Sequence, residues 1–223
     1  MDDKTALLFA KTKEFKFVVD KTDRFINWAL NQVTKPYVAC SFGKDSAVML
    51  HLILKHQPNI DVRFIRWHNE TEFIDNYDDI IKEWKDINLT QIEFKRESLS
   101  DKRIDRYDVV GYDSFFVGLR QEESVARRIT LKKHGKFYKN KSELIRISPL
   151  SEWKESHVAA YILSEKLPVL NTYIKQGMSS RTASRIPRED YGIRNSFLSD
   201  LKNRDLNAYN NLIKNFPDAK YFI

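Results

Sequence analysis

Cysteine is almost missing from this sequence: Cys40 is the single one in 223 residues. One thiol closes no intrachain disulfide and builds no multi-cysteine zinc or iron–sulfur site. The five histidines, at positions 51, 56, 68, 134 and 157, show no metal-ligand spacing with carboxylates. Glycine is also sparse, with 6 in the chain, so each is expected where the backbone needs it. No apolar run approaches the ~20 residues that a membrane-spanning helix requires. The opening Met1-Asp2-Asp3-Lys4 is unlike a secretory leader, so a cytoplasmic protein with no membrane partner is expected.

What is present is a folding composition, 42% hydrophobic and 31% charged, and a length that suits one α/β domain or a core with a small appendage. The net charge is +7, and most of it sits in one place. Between Arg120 and Arg146 nine Lys or Arg face only Glu122, Glu123 and Glu143. A second basic region, 181–194, carries Arg181, Arg185, Arg188 and Arg194. Such surfaces suit polyanions: nucleotide phosphates, a nucleic acid, or an acidic partner protein. The part Lys132–Lys141 reads equally as a solvated loop.

Periodicity organises the rest. Residues 1–35 read as helical, with Thr22-Asp23 as an N-cap ahead of the apolar face Phe25, Ile26, Ala29 and Leu30. Tyr37–Ser41 reads as a strand, and Ala47 to Leu54 as a helix ending near Gln57-Pro58. Further strands are expected at Asp61–Trp67, Gln91–Lys95, Ser114–Leu119 and Leu144–Ser148. Helices are expected at Asp75–Ile87, Glu122–Leu131, Glu152–Leu163 (capped by Ser151) and about Ser196–Ile213. Short strands alternating with helices predict an α/β fold, a parallel five-stranded sheet with helices on both faces. The pattern turns irregular after Leu170, which predicts a nucleotide-binding domain over 1–170 and a helical extension or lid over 171–223.

The most informative segment is Ser41-Phe42-Gly43-Lys44-Asp45-Ser46, between an apolar strand and an apolar helix. A helix N-terminus presents unpaired N–H groups and the positive end of the helix dipole, and so binds phosphate. Gly43 would let the backbone approach the anion, Ser41 and Ser46 add hydroxyls, and Lys44 adds a cation. The Walker pattern G-x-x-x-x-G-K-[ST] is absent, which disfavours kinase- or GTPase-type chemistry.

The hexapeptide resembles the PP-loop, S-x-G-x-D-S, in the form found in the phosphoadenosine-phosphosulfate (PAPS) reductase-like family of the PP-loop ATP pyrophosphatase superfamily. Three other segments resemble that family in order and spacing across about residues 37–165. His68-Asn69-Glu70-Thr71-Glu72-Phe73 follows the second strand, and Gly118-Leu119-Arg120-Gln121-Glu122-Glu123-Ser124 follows the fourth. Pro149-Leu150-Ser151-Glu152-Trp153 leads into His157, Val158, Tyr161 and Ile162. The resemblance implies a site for ATP or PAPS, with Mg²⁺ arriving on the nucleotide. Ser41, Phe42, Gly43, Lys44, Asp45, Ser46, Asn69, Gly118 and Arg120 would line it. Lys44, Asp45 and Arg120 would do the chemistry, and Asp45 would help to hold the metal.

The resemblance fails at one point. A thiol-dependent PAPS reductase attacks the sulfonate with a C-terminal cysteine, and no cysteine follows Cys40 here. Cys40 itself reads as a packing residue. Activation of a substrate by attack at the α-phosphate of ATP, releasing pyrophosphate, is therefore the leading expectation. The acceptor would be sulfate or a nucleic acid. The alternatives are a PAPS- or APS-processing protein that uses a partner's thiol, and a non-catalytic nucleotide- or nucleic-acid-binding module.

Overall fold

A computed structural model of the chain describes residues 2–67, 77–94, 111–178 and 191–222. The chain opens with helices α1 (Asp3–Ala10) and α2 (Lys13–Leu30), strand β1 (Pro36–Ala39), helix α3 (Lys44–Leu54) and strand β2 (Asp61–Trp67). Helix α4 (Tyr77–Glu83), strands β3 (Asn88–Phe94) and β4 (Ser114–Val117), a 3₁₀ turn (Gln121–Glu123) and helix α5 (Val125–His134) follow. Strands β5 (Phe137–Lys139) and β6 (Ile145–Ile147) and helices α6 (Glu155–Glu165) and α7 (Asn171–Gln176) come next. Helices α8 (Tyr191–Arg204) and α9 (Leu206–Asn215) and a 3₁₀ turn (Pro217–Phe222) close the described chain.

The six strands form one sheet in the order β3-β2-β1-β4-β6-β5. All neighbours are parallel except β5 and β6. The α/β class holds, with one more strand than the five expected. The extra strand, β5, lies inside the basic stretch that also reads as a loop. Gly135, at φ +77, ends α5, and Asn140 then turns the chain back. Its Oδ1 accepts from the Ser142 and Leu144 amides at 2.9 and 3.1 Å. Three charged or half-buried residues carry too little periodicity to announce such a strand.

One sheet face carries Val38, Val62, Phe116 and Ile147 in register, each fully buried. Against the main core pack α2, α3 and α6. Helix α3 is buried nearly all round through Ala47, Val48, Met49, Leu50, Leu52 and Ile53, as suits a helix with no polar face. Trp153 donates its indole N–H to Thr22 Oγ1 at 2.7 Å, joining α2 to the chain ahead of α6. Thr22 is therefore a buried mid-helix residue, and the cap of α2 is Thr12, which accepts from the Phe15 amide at 3.2 Å. The expected continuous N-terminal helix is two helices for that reason. Helix α6 starts at Glu155 rather than Glu152, and Ser151 is buried ahead of it.

The C-terminal helices α8 and α9 are also two where one was expected, because Asp205 caps α9 by accepting from the Ala208 amide at 2.9 Å. They and the last 3₁₀ turn enclose a separate small core of Leu198, Leu201, Ala208, Tyr209, Leu212, Phe216 and Ala219. Because this core is separate, Leu212→Ala, at a fully buried position, should cost about 2–5 kcal/mol locally. Hydrogen exchange should then speed up across α8 and α9 and leave β1 and α3 protected. Equal loss of protection in β1 would show that the two cores unfold as one.

Candidate functional site

The strand order reverses at β1: β2 and β3 lie on one side, and β4, β6 and β5 on the other. Open parallel sheets bind ligands at the carboxyl ends of the strands beside such a reversal. Here those ends are the loop 40–43 after β1 and the segment 118–124 after β4. A cleft of about 300 Å³ opens between them, lined by Ser41, Gly43, Asp45, Ser46 and Gly118, together with Arg63, Glu123, Arg127 and Tyr173.

The loop is tied into a ring by hydroxyls. Ser46 donates its Oγ proton to the Gly43 carbonyl at 2.9 Å and accepts from the Ser41 amide at 3.3 Å. The two serine hydroxyls lie 3.2 Å apart. Gly43, expected to let the backbone approach an anion, is extended (φ −70°, ψ 159°) and N-caps α3. Phe42 takes the left-handed conformation, at φ 54°. That strain costs on the order of 1–3 kcal/mol. Burial of the Phe42 ring, which meets Phe64 edge-on at 5.2 Å, offsets it. The first amides of α3 have no partner inside the helix, and Gly43, Asp45 and Ser46 at that end of it line the cleft.

Gly118 answers to a close approach. A Cβ there would stand 3.0 Å from the Asp45 carbonyl carbon and oxygen and from the Ser46 nitrogen. The two loops are thus in backbone contact. An ion pair reinforces them: Arg120 Nε donates to Asp45 Oδ1 at 2.5 Å, and its Nη1 donates to Glu122 at 2.7 Å. Glu123 accepts from the Arg120 amide at 2.8 Å. Burial pushes the Asp45 carboxyl above the usual range, opposed by Arg120. Burial also works against the Arg120 charge, but Asp45, Glu123 and Glu122 outweigh it and hold its pKa above the ordinary value.

Arg120 is therefore a buried brace behind Asp45, 3% exposed, and is not among the residues lining the cleft. The Lys44 ammonium also stands off the cleft wall. It donates to the Met178 carbonyl, lies 5.6 Å from the Tyr173 ring centroid and 3.9 Å from Glu155. Burial lowers its pKa. Asn69 lies outside the described residues, as do Arg181, Arg185 and Arg188. Sequence reasoning did not select Arg63, Glu123 or Tyr173. Arg63 left a trace, a cation inside a strand of a parallel sheet, where near-continuous apolar residues are the rule. Tyr173 left none.

Cys40, at the end of β1, is 3% exposed, and burial pushes its thiol up to about 11. Among the described residues no group of three or more His, Cys, Asp or Glu stands ready to hold a metal ion.

The fold is the adenine nucleotide α-hydrolase-like α/β fold. Within it, the chain matches the model of the phosphoadenosine phosphosulfate reductase domain over residues 35–109 and 100–181 and belongs to that family. Among solved structures it is similar to the PAPS reductase of Candida auris in its phosphate complex, at 19% identity and TM-score 0.54, over 74% of this chain and 92% of that one. It is similar to the FMN adenylyltransferase of Candida glabrata in complex with ATP, at 13% identity and TM-score 0.54, over 77% of this chain and 65% of that one. It is also similar to a U34-tRNA thiolase from Methanococcus maripaludis, at 17% identity and TM-score 0.50, over 93% and 80%. These likenesses establish the shared fold. No relative is found among curated protein sequences.

Two outcomes follow from the geometry. Gly118→Ala must push backbone against backbone, so a loss of about 1–3 kcal/mol is expected, read as a lower Tm. Arg120→Ala leaves the buried Asp45 charge without its partner and should cost about 3–5 kcal/mol, whereas the pair Arg120→Met with Asp45→Asn should recover most of it. A double-mutant cycle measures the coupling.

The raised Cys40 pKa gives a pH test. A thiol that titrates from 9.0 when unfolded to about 11 when folded contributes stability fully present below 9.0 and lost as pH rises through 11. Iodoacetamide at pH 8 should label the urea-unfolded chain quickly and the folded chain very slowly. Equal rates would remove Cys40 from the buried set.

Proposed function

We propose that this member of the PAPS reductase domain family is an enzyme that binds ATP in the cleft and activates an acceptor by attack at the α-phosphate. The acceptor–phosphorus bond forms, the bridging bond to the β-phosphate breaks, and its electron pair leaves with pyrophosphate. The observation that carries this reading is the ring-tied loop 41–46, which sets the N-terminus of α3 against the cleft at the switch point. Such amides stabilise charge as it grows on a leaving phosphate. Ser41 and Ser46 hold that loop in shape, and Gly118 lets the second loop close on it.

The residues fit a metal that comes with the phosphates rather than one caged by protein. Asp45 and Glu123 line the cleft and would hold a magnesium ion, which neutralises phosphate charge when bound. Lys44, beside the cleft, adds a cation within reach of side-chain motion. Arg120 acts through Asp45 and is a positioning residue.

The chain's own thiol does not support reductase chemistry, since Cys40 is its single cysteine, is buried and stays protonated near neutral pH. One observation favours a second reading. Arg63 and Arg127 line the cleft, and two arginines there suit a nucleotide with an additional phosphate, such as PAPS, processed with a partner's thiol.

Calorimetric titration with Mg·ATP and PAPS as competitor separates the two. ATP binding that PAPS does not displace supports activation, and preferential PAPS binding supports the second reading. Asp45→Asn should lower pyrophosphate release by roughly 100-fold or more, on the scale of losing one preorganised electrostatic contact. Release unchanged in this variant, or absent from the wild type with sulfate and with nucleic acid as acceptors, rejects the proposal.

A further inference from the structure

Helix α5 is nearly bare. Of its ten residues only Leu131 is buried, while Val125 and Ile129 are 64% and 61% exposed. Its inner flank carries Arg127, which lines the cleft and pairs with Glu123. Its outer flank carries Arg128, Lys132 and Lys133, all exposed, and Lys141 stands exposed in the turn between β5 and β6. Among the described residues these four cations have no ion-pair partner. From Val125 to Arg146 eight Lys or Arg are accompanied by one acid, Glu143, which pairs with Lys139.

Unpaired like charges held close together on one helix repel one another, so the patch is a cost until a polyanion covers it. Arg128 and Lys132 are four residues apart, about 6 Å along the axis, and their flexible stems let them follow a phosphate chain. Rings are interleaved with the cations. His134 is exposed and stacks on Tyr138, with centroids 5.0 Å apart and planes at 25°. Tyr138 in turn accepts from Arg146 Nη1 at 3.3 Å. A cationic track beside a ring stack is how single strands are held, with phosphates on the cations and bases on the rings. Protein interfaces, in contrast, are depleted of lysine.

We propose that α5 and the β5–β6 hairpin dock a single-stranded nucleic acid, its backbone crossing Arg128, Lys132, Lys133 and Lys141 on the way to the cleft mouth at Arg127. The role of that strand as acceptor rests on the ATP-activating reading above; the docking does not.

The test is fluorescence anisotropy of the full chain with a labelled single strand of roughly 20 mixed-sequence nucleotides, without ATP, between roughly 50 and 200 mM salt. Four phosphate contacts give a slope of about −2.8 in log K against log salt, so this rise should weaken binding roughly fiftyfold. The variant Arg128→Gln/Lys132→Gln/Lys133→Gln keeps one of the four contacts. Its salt dependence should fall to about threefold, and its low-salt affinity should drop at least tenfold. Its circular dichroism and its ATP titration should match those of the wild type. Lys141→Gln, outside the helix, gives an independent reading and should lower the slope by about 0.7.

Absence of saturable binding overturns the proposal, as does affinity that both variants leave unchanged. Displacement by polyglutamate as effective as that by unlabelled strand would assign the patch to an acidic protein instead. Tighter binding of the matching duplex would overturn the single-strand assignment. Strand binding without pyrophosphate release keeps the docking surface and removes the chemistry, and the converse removes the docking surface alone.

Discussion

The contact between the loop after β1 and the loop after β4 is the constraint on which the rest of the molecule turns. At Gly118 the two backbones approach so closely that a methyl group would collide with Asp45 and Ser46. Beside that contact, Arg120 and Asp45 form a buried pair, with side chains 4% and 16% exposed. Taking both charges out of water is expensive, and their attraction repays it only with good geometry and further partners. Glu122 supplies one such partner to the guanidinium, and Glu123 takes the Arg120 amide. The pair is therefore better understood as a device of shape than of stability. It fixes where the first turn of α3 stands relative to β4, and so fixes the cleft.

A second consequence concerns charge. Apart from Arg63, whose Nε and Nη1 have no hydrogen-bond partner among the described residues, the cations at the cleft are already engaged. Arg120 is held by Asp45 and Glu122, Arg127 by Glu123, and Lys44 by the Met178 carbonyl, with Glu155 nearby. On the proposed reading, a nucleotide entering here would gain its first hold from backbone amides and serine hydroxyls, which need no counter-ion to be released. Any contribution from Lys44 or Arg127 then requires an exchange of partners. Such an exchange is close to neutral in energy, because one carboxylate or carbonyl contact is replaced by one phosphate contact. It adds selectivity for ligands that place their charge where the displaced acid stood.

The parts of this design that were legible in the sequence are those that depend on local pattern. The apolar run before Ser41 and the helix after Ser46, apolar but for His51, required a strand, a tight loop and a buried helix, and Gly118 ahead of Arg120 marked the facing loop. The roles inside the loop were harder. Nothing local announced that Phe42, next to Gly43, takes a left-handed backbone, which its buried ring packed on Phe64 helps to offset. Arg120 was read as a phosphate fork, and in the structure its guanidinium is held by Asp45 and Glu122. Thr22 looked like a cap, and the indole of Trp153, far along the chain, claimed its hydroxyl. In each case a deciding partner, Phe64, Asp45 or Trp153, lies more than 20 positions away.

The same distinction bears on the basic stretch after Arg120. By sequence alone a run of lysines and arginines is compatible with a solvated loop, since charge says nothing about order. Folding changes its meaning. The run becomes a helix with one buried residue and a hairpin pinned by Asn140, so its cations are held at fixed spacings instead of spreading apart. Holding like charges on a rigid frame is unfavourable in the free protein, and a flexible loop of the same composition would avoid most of that cost. The fold accepts it beside a cleft where Arg127 is already paired with Glu123 and Lys44 with a carbonyl, while Arg63 keeps two buried guanidinium nitrogens without a hydrogen-bond partner among the described residues. The exposed cations of α5 and the hairpin thus add to the positive charge that Arg63 already brings to the cleft. On the proposed readings, cations on the rim would draw a polyanion there without being spent on a nucleotide in the cleft, so the two affinities would be set by different residues.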